Sequence, residues 1–401
     1  MKKSTVICSE EQWSGAAGEE GVPGSRLGLM LTTMALLAFG LTMLYSASSG
    51  DIAKAALFFR NQLIWAGVGC MLGVTAFFLG YRFLAEKSLI WVAGISVLLV
   101  WAMLSRPVNG AHRWIHLGGY TFQPSELAKV AVALFTAWYC SAHPRTFTQW
   151  SSRRGMIPLA ATAGCVILLI LAGHDLGTTV LVSLTCFLTL MAAGLHWLYL
   201  AVPLAIAPVV VGYLYKFDEM RWLRMTVFTD PETYQQGSGY QLWNSILALG
   251  SGNWGGVGLM SSRLKAQYLP EAHTDFILAI VGEELGFIGL CSVLLLYTLW
   301  GVFALRITLH ARDRLGMLLG WALTLGVLLQ AAINFGAMSG VFPTKGMPAP
   351  FISYGGSNLL GCLLATGILV SISQEAIAPG YAGRIRNKFT NIFKRSGGED
   401  C

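Results

Sequence analysis

Apolar runs of about 20 residues recur from residue 27 to residue 377, separated by mostly short polar segments. About 20 apolar residues carry a helix across a bilayer. The runs are continuous rather than ten-residue alternations, so the pattern predicts helices and not the strands of a barrel. Ten spans are expected, over 27–47, 61–80, 88–104, 125–142, 156–173, 177–195, 197–215, 276–305, 315–338 and 358–377. The fold class is therefore all-α, a polytopic membrane helical bundle whose long loop, 216–274, joins the seventh and eighth spans.

Two connections break the rhythm. The loop 216–274 is 59 residues long, and loops of that length are usually functional. Within it GYQLWNSILALGSG spaces Leu242, Ile246 and Leu249 along one helical face, too short to span and expected to lie on or dip into the membrane surface. The second, SGVFPTKGMPAPFISYGGS (339–357), holds three prolines and four glycines. Irregular backbone of this kind is tolerated at membrane depth only inside protein or beside a water-filled cavity. The outer limits are a polar tail, 1–26, expected to be disordered, and a basic tail, 378–401, around one membrane domain, 27–377. Ser46-Ala47-Ser48 faintly resembles a signal-peptidase site, but the preceding run is longer and starts later than a signal peptide's core, so the first span is read as uncleaved.

Composition agrees with this pattern and adds an orientation. The chain is 55% hydrophobic and 12% charged, against about 25% charged in soluble domains. Segments on the side of the termini carry 16 Lys and Arg, those on the opposite side 10, and Lys129 lies within a span. Basic residues favour the cytoplasmic side, which places both termini there. The net charge of +7 is then an orientation signal plus attraction to anionic lipid, and calls for no nucleic-acid partner. Six of the eight cysteines lie inside apolar runs and no CxxC pair occurs, so neither disulfides nor a structural zinc site is expected.

Ionisable groups inside or beside membrane spans carry the chemical signal, because they are costly there and face a bundle interior by default. In RWIHLGGYTFQPSELAKVAV (113–132), Pro124 is placed to start a helix, and Glu126 and Lys129 share a face three residues apart. Arg113 and Trp114, just outside, suit a phosphate and a sugar face. The plain alternative is a helix-opening ion pair with an interfacial Trp anchor. In AGHDLGTTV, Asp175 is an N-cap candidate that could equally hold a cation or orient a base. In YLPEAHTDFI, Thr274 or Asp275 could cap the eighth span, while Asp275 at the mouth of a cavity is a candidate general base and His273 a weaker one. No metal-ligand spacing, GxSxG or phosphate loop is present. The residues alone describe a membrane enzyme or transporter acting on an anionic substrate from the outer face.

Five collinear stretches resemble the SEDS (shape, elongation, division and sporulation) family across about 27–377: RWIHLGGYTFQPSELAKVAV, DLGTT, DPETYQQGSGYQLWNSILALGSGNWGGVGL, YLPEAHTDFILAIVGEELGFIG and FPTKGMPAPFISYGGSN. Pro-Thr-Lys-Gly at 343–346 and Glu-Ala before His-Thr-Asp at 271–275 are similar to the division members rather than the elongation members. GHDLGT departs from the commoner family form, which has Pro before the Asp. The resemblance implies an inverting, β-1,4-forming peptidoglycan glycosyltransferase that polymerises lipid II, stimulated by a divalent cation (Mg²⁺ or Mn²⁺) and needing no organic cofactor. It implies a class B penicillin-binding protein and other divisome proteins as partners, in the bacterial inner membrane at the division site. It also makes Asp275 the catalytic base, since the family's essential Asp falls on the His-Thr-Asp motif. Arg113, Lys129 and Lys345 are then expected around the pyrophosphate, with Arg263 and Lys265 as further candidates. Trp114, Glu126, Asp175 and Glu283 complete the expected substrate site, and the metal ligands stay unassigned. A lipid II flippase, an elongation-type polymerase and a structural scaffold remain as alternatives.

Overall fold

The computed structural model describes residues 22–49, 52–107, 111–118, 120–144, 148, 155–196, 212, 226–237, 239–264, 273–343, 346–381 and 383–384. Its helices are α1 (Val22–Ala47), α2 (Ile52–Leu79), α3 (Tyr81–Glu86), α4 (Ser88–Leu104), α5 (Pro124–Ala142), α6 (Met156–Ala172) and α7 (Leu176–Ala192). They continue with α8 (Tyr240–Ser251), α9 (Ile277–Leu309), α10 (Arg314–Met338) and α11 (Gly356–Ile377). Nine of the ten expected spans overlap described helices, although α1 starts at Val22, inside the tail expected to be disordered, and α2 at Ile52 rather than 61; the seventh, 197–215, lies almost wholly outside the described residues.

Five of these helices, α1, α2, α9, α10 and α11, are long and apolar enough to cross a membrane by length and composition. The 17-residue helices α4, α6 and α7 are shorter apolar members of the bundle. Helix α5 differs in kind. It packs against α3, α4, α6, α7, α10 and α11, and nearly its whole circumference is buried, including Glu126. Small residues, Ala128, Ala131, Ala133 and Ala137, let its neighbours approach on every side. A close helix–helix approach joins α2 to α11, where a Cβ on Gly367 would lie 2.3 Å from the carbonyl of Gly73.

Three departures from the expected pattern have local causes. Residues 81–87, read as a polar connection, fold as α3 between Gly80, at φ +84°, and the next helix. A two-stranded antiparallel ribbon, β1 (Ile115–Leu117) with β2 (Tyr120–Phe122), pairs Ile115 with Phe122 and leads into Pro124, the first residue of α5. The apolar face of α8, expected at the membrane surface, packs on protein: Leu242 and Ile246 lie over Gly340, and Leu249 over Gly282. Ser245 adds a hydrogen bond to the Met338 carbonyl at 2.8 Å.

Helix α9 is broken at Gly286, where φ is 68° and ψ is −164°. The loop after α8 fills the break with its own backbone. Phe287 and Ile288 donate to the carbonyls of Asn253 and Trp254, while Val257 and Gly258 donate to those of Glu283 and Glu284. Only glycine permits this contact, since a Cβ on Gly256 would stand 2.1 Å from the Glu284 carbonyl. The exchange satisfies the polar groups that a broken helix exposes at membrane depth.

Candidate functional site

Segment 346–355 caps one end of the bundle without forming a helix. Its Met347, Ala349, Phe351, Ile352 and Ser353 are buried, as expected of irregular backbone enclosed in protein. Several elements tie it and the start of α11 down. Gln62 of α2 donates to the Ser353 carbonyl at 3.1 Å and accepts from the Gly355 amide at 3.3 Å. The Tyr354 amide donates to the His273 carbonyl at 2.9 Å. Tyr297 of α9 donates to the Pro350 carbonyl at 2.5 Å. Ser357, at the start of α11, accepts from the Gln123 amide ahead of α5 at 2.8 Å. Phe351 is held at φ 63°, an unusual conformation for a bulky residue, by this enclosure and by its ring packing against Trp300.

The cap brings two of the expected residues together. A Cβ on Gly346 would lie 3.2 Å from Asp275 Oδ2 and 3.3 Å from a terminal nitrogen of Arg113. The carboxylate and the guanidinium therefore both flank this glycine, where a larger side chain would press on both. The residue at the cap position of α9 is Phe276 and no side chain caps that helix, which removes capping as the reason for Thr274 or Asp275. His273 stacks on Phe58 with ring centroids 4.5 Å apart.

Arg113 reaches Asp175 at 3.7 Å and lies 5.9 Å from the centre of the Trp114 ring. Asp175 does cap α7, accepting from the Thr178 amide at 3.2 Å, and also accepts from Gln123 Nε2 and Ser125 Oγ, each at 2.8 Å. With three neutral donors already on Asp175, the Arg113 pairing orients the guanidinium without consuming it. Among the described residues Arg113 Nε has no hydrogen-bond partner. Such a fork with open donors suits phosphate oxygens.

Below it, Lys129 Nζ contacts Glu126 Oε2 at 2.6 Å, the pairing expected from their spacing, and also donates to Gln330 Oε1 at 2.6 Å. Both residues line a mostly apolar cavity between α5, α7, α10 and α11, with Thr136, Cys186 and Leu323 among its walls. Glu283 behaves differently from expectation. Its carboxylate is taken up by the Ser262 hydroxyl and the Arg263 amide, the latter at 2.9 Å, and so binds the loop beside the α9 break. Arg263 contributes its backbone there. Lys345 and Lys265 lie outside the described residues.

Sequence reasoning missed Gln330, Asn334 and Asn358. Gln330 donates to the Pro348 carbonyl at 2.8 Å and to Asn358 Oδ1 at 2.9 Å, and Asn334 donates to the carbonyls of Asp275 at 3.0 Å and Met347 at 2.8 Å. Amides four residues apart inside an apolar run were the available signal.

The fold and its capped cluster define a multi-pass membrane protein with an ionisable site at one end of the bundle. The family of cell cycle proteins FtsW, RodA and SpoVE matches residues 27–377, and the chain belongs to that family, the SEDS proteins. It is 36% identical over 352 residues to the probable peptidoglycan glycosyltransferase FtsW of Trichlorobacter lovleyi, covering 86% of this chain and 92% of the relative. To the protein of the same description from Dichelobacter nodosus it is 37% identical over 361 residues, covering 87% and 90%. Among solved structures, it matches a chain of a peptidoglycan synthase complex that coordinates polymerisation and crosslinking, with a TM-score of 0.74 and 26% identity over 88% of this chain and 98% of that one. It also matches the rod shape determining protein RodA of Thermus thermophilus, with a TM-score of 0.65 and 25% identity over 87% and 96%. Membership places the chain in the bacterial inner membrane.

Proposed function

We propose that the chain is a division-type peptidoglycan glycosyltransferase that polymerises lipid II, with Asp275 as its base. The observation that carries the site assignment is the meeting of Asp275 and Arg113 across Gly346, above the Glu126–Lys129 pair. The acceptor hydroxyl gives its proton to the Asp275 carboxylate as its oxygen attacks C1 of the donor sugar from the face opposite the pyrophosphate. The C1–O bond to pyrophosphate breaks, the polyprenyl pyrophosphate leaves, and the α linkage becomes β. A positioned base is worth about 10²–10⁴ in rate. Arg113 and Lys129 meet the charge that develops on the leaving group, with Lys345 as a third cation by its motif. Glu126 and Asp175 orient these cations, and Trp114 offers a face to a sugar. The cavity beside Lys129 suits the prenyl chain attached to that phosphate.

A divalent cation is part of this reading. Among the described residues no group of three or more His, Cys, Asp or Glu gathers to hold one. Magnesium bound with substrate phosphates needs only one or two carboxylates, which Glu126 or Asp175 would supply beside the base. The cation would supply further charge neutralisation at the pyrophosphate. The proposed setting is the septum, with both termini cytoplasmic and the capped end outside, beside a class B penicillin-binding protein and other divisome proteins. Labelling a cysteine at Ser396 from inside and one at Gly237 from outside tests the orientation; reaction of both from one side would refute it.

Purified protein given labelled lipid II, with and without a transpeptidase partner, tests the activity. Glycan chains are expected, and Asp275→Asn should abolish them while the protein still inserts. Leaflet exchange without chains would mean a transporter, and neither would mean a scaffold. Near-normal polymerisation by Asp275→Asn would remove Asp275 as the base.

A further inference from the structure

We infer that Gln330 and Asn334, one turn apart on α10, are positioning residues that divide the reaction between them. Asn334 sets the base and Gln330 sets the cation beneath it. The inference rests on the assignment of Asp275 and Lys129 above.

Both amides are 2% exposed, deep in a helix whose other inward residues are mostly apolar. A polar amide is costly there, so its partners must account for it. Asn334 spends both N–H groups on carbonyls, those of Asp275 at 3.0 Å and Met347 at 2.8 Å. One side chain thereby fixes the peptide that carries the base to the residue after Gly346, the glycine the base abuts. Its oxygen, Oδ1, has no hydrogen-bond partner among the described residues. The residue is thus used for its two donors, and turning the amide over would set its oxygen against two carbonyls.

Gln330 works one turn away. Its two N–H groups go to the Pro348 carbonyl and Asn358 Oδ1, and its Oε1 accepts from Lys129 at 2.6 Å. The rotamer of Lys129 is therefore set from two helices, by Glu126 on its own and by Gln330 on α10. Because Met347 and Pro348 are adjacent, the same two residues of the cap register the base against the cation. Misplacement of a reacting group by about 1 Å can lower a rate by about 10²-fold.

The two halves separate kinetically. A base contributes only in the transition state, so loosening it lowers kcat at constant KM. A cation that also holds the ground-state pyrophosphate shows in KM. Steady-state polymerisation of labelled lipid II by the purified full chain in nanodiscs should show Asn334→Ala with kcat down about 10-fold or more and KM within about 2-fold. Gln330→Ala should show KM raised several-fold, with kcat lowered as well because Lys129 also meets the developing charge. Asn334→Ser, which retains a single donor, should fall between wild type and Asn334→Ala, and carries the test if the alanine variant does not fold. Wild-type kinetics in both variants, or kcat and KM moving in parallel in both along with a lowered thermal midpoint, would overturn the inference. Asp275→Asn is run beside them. If it is inactive while Asn334→Ala is normal, the positioning role alone fails; if it polymerises normally, the base assignment fails and the positioning role with it.

Discussion

Asp175 and Glu126 on one side, and Glu283 and Glu284 on the other, are equally hidden from solvent, all at 3% exposure or less. Their partners differ in kind. Asp175 and Glu126 face Arg113 and Lys129, cations that retain donors for something else. Among the described residues, the hydrogen bonds to Glu283 and Glu284 come from Ser262, Ser46 and the amides of Ser262 and Arg263. Those neutral donors bind the acids into a seam that holds α1 and the loop after α8 against the first half of α9. Burial of an acid in a membrane protein is therefore not by itself a sign of chemistry. The species that neutralises it separates a working group from a structural one.

This contrast breaks first at Arg113. Replacing it with Gln should lower lipid II polymerisation by about 10²-fold or more, the usual cost of removing a donor aimed at developing charge. The thermal midpoint should change little, because Asp175 keeps Gln123, Ser125 and the Thr178 amide. Activity and midpoint falling together would make Arg113 structural and erase the distinction. At the seam the reverse is expected. Gly256→Ala adds a Cβ 2.1 Å from a carbonyl at φ +77° and should cost about 1–3 kcal/mol through overpacking. A clearly lower thermal midpoint and faster proteolysis of the loop after α8 would show it, and an unchanged midpoint would mean the seam bears no load.

The smallest effect sharpens the comparison at the other end of the bundle. Tyr81 donates to Asp313 Oδ1 at 2.9 Å, and Arg82 contacts Asp313 at 2.9 Å. Burial and then Asp313 push the Tyr81 phenol well above its ordinary pKa of about 10. Its contribution is complete below pH about 10 and is lost as pH rises through the higher folded value. Tyr81→Phe should therefore lose about 0.5–1.5 kcal/mol, constant from pH 6 to 9, with polymerisation unchanged. A midpoint difference that varies within that range would refute the neutral-donor assignment.

Hydropathy made the spans legible because lipid demands one kind of surface over a fixed length. It also located α5 through Pro124, although that helix is the least lipid-like of the set. The break at Gly286 stayed hidden inside an unbroken apolar run, since its cause is another segment's backbone arriving from more than 25 residues upstream. The same holds at the site. Spacing gave Glu126 with Lys129, and the motif gave Asp275, because these depend on near neighbours or recognised order. Gln330 and Asn334 acquire meaning only when residues 346–348 fold over them. Glu283, drawn to the site by its proximity to Asp275 along the chain, was claimed by Ser262 instead.

Helix α5 sets a limit on how sequences of this architecture can drift. A helix with a lipid-facing side accepts almost any apolar residue there, and its substitutions accumulate with a period of 3.6. Enclosed by six other helices, α5 has no such free side. Change along it calls for compensating change in a neighbour, so variation in it is expected in coupled pairs rather than in a stripe. Glu126 and Lys129 thus ride on the element least able to vary alone.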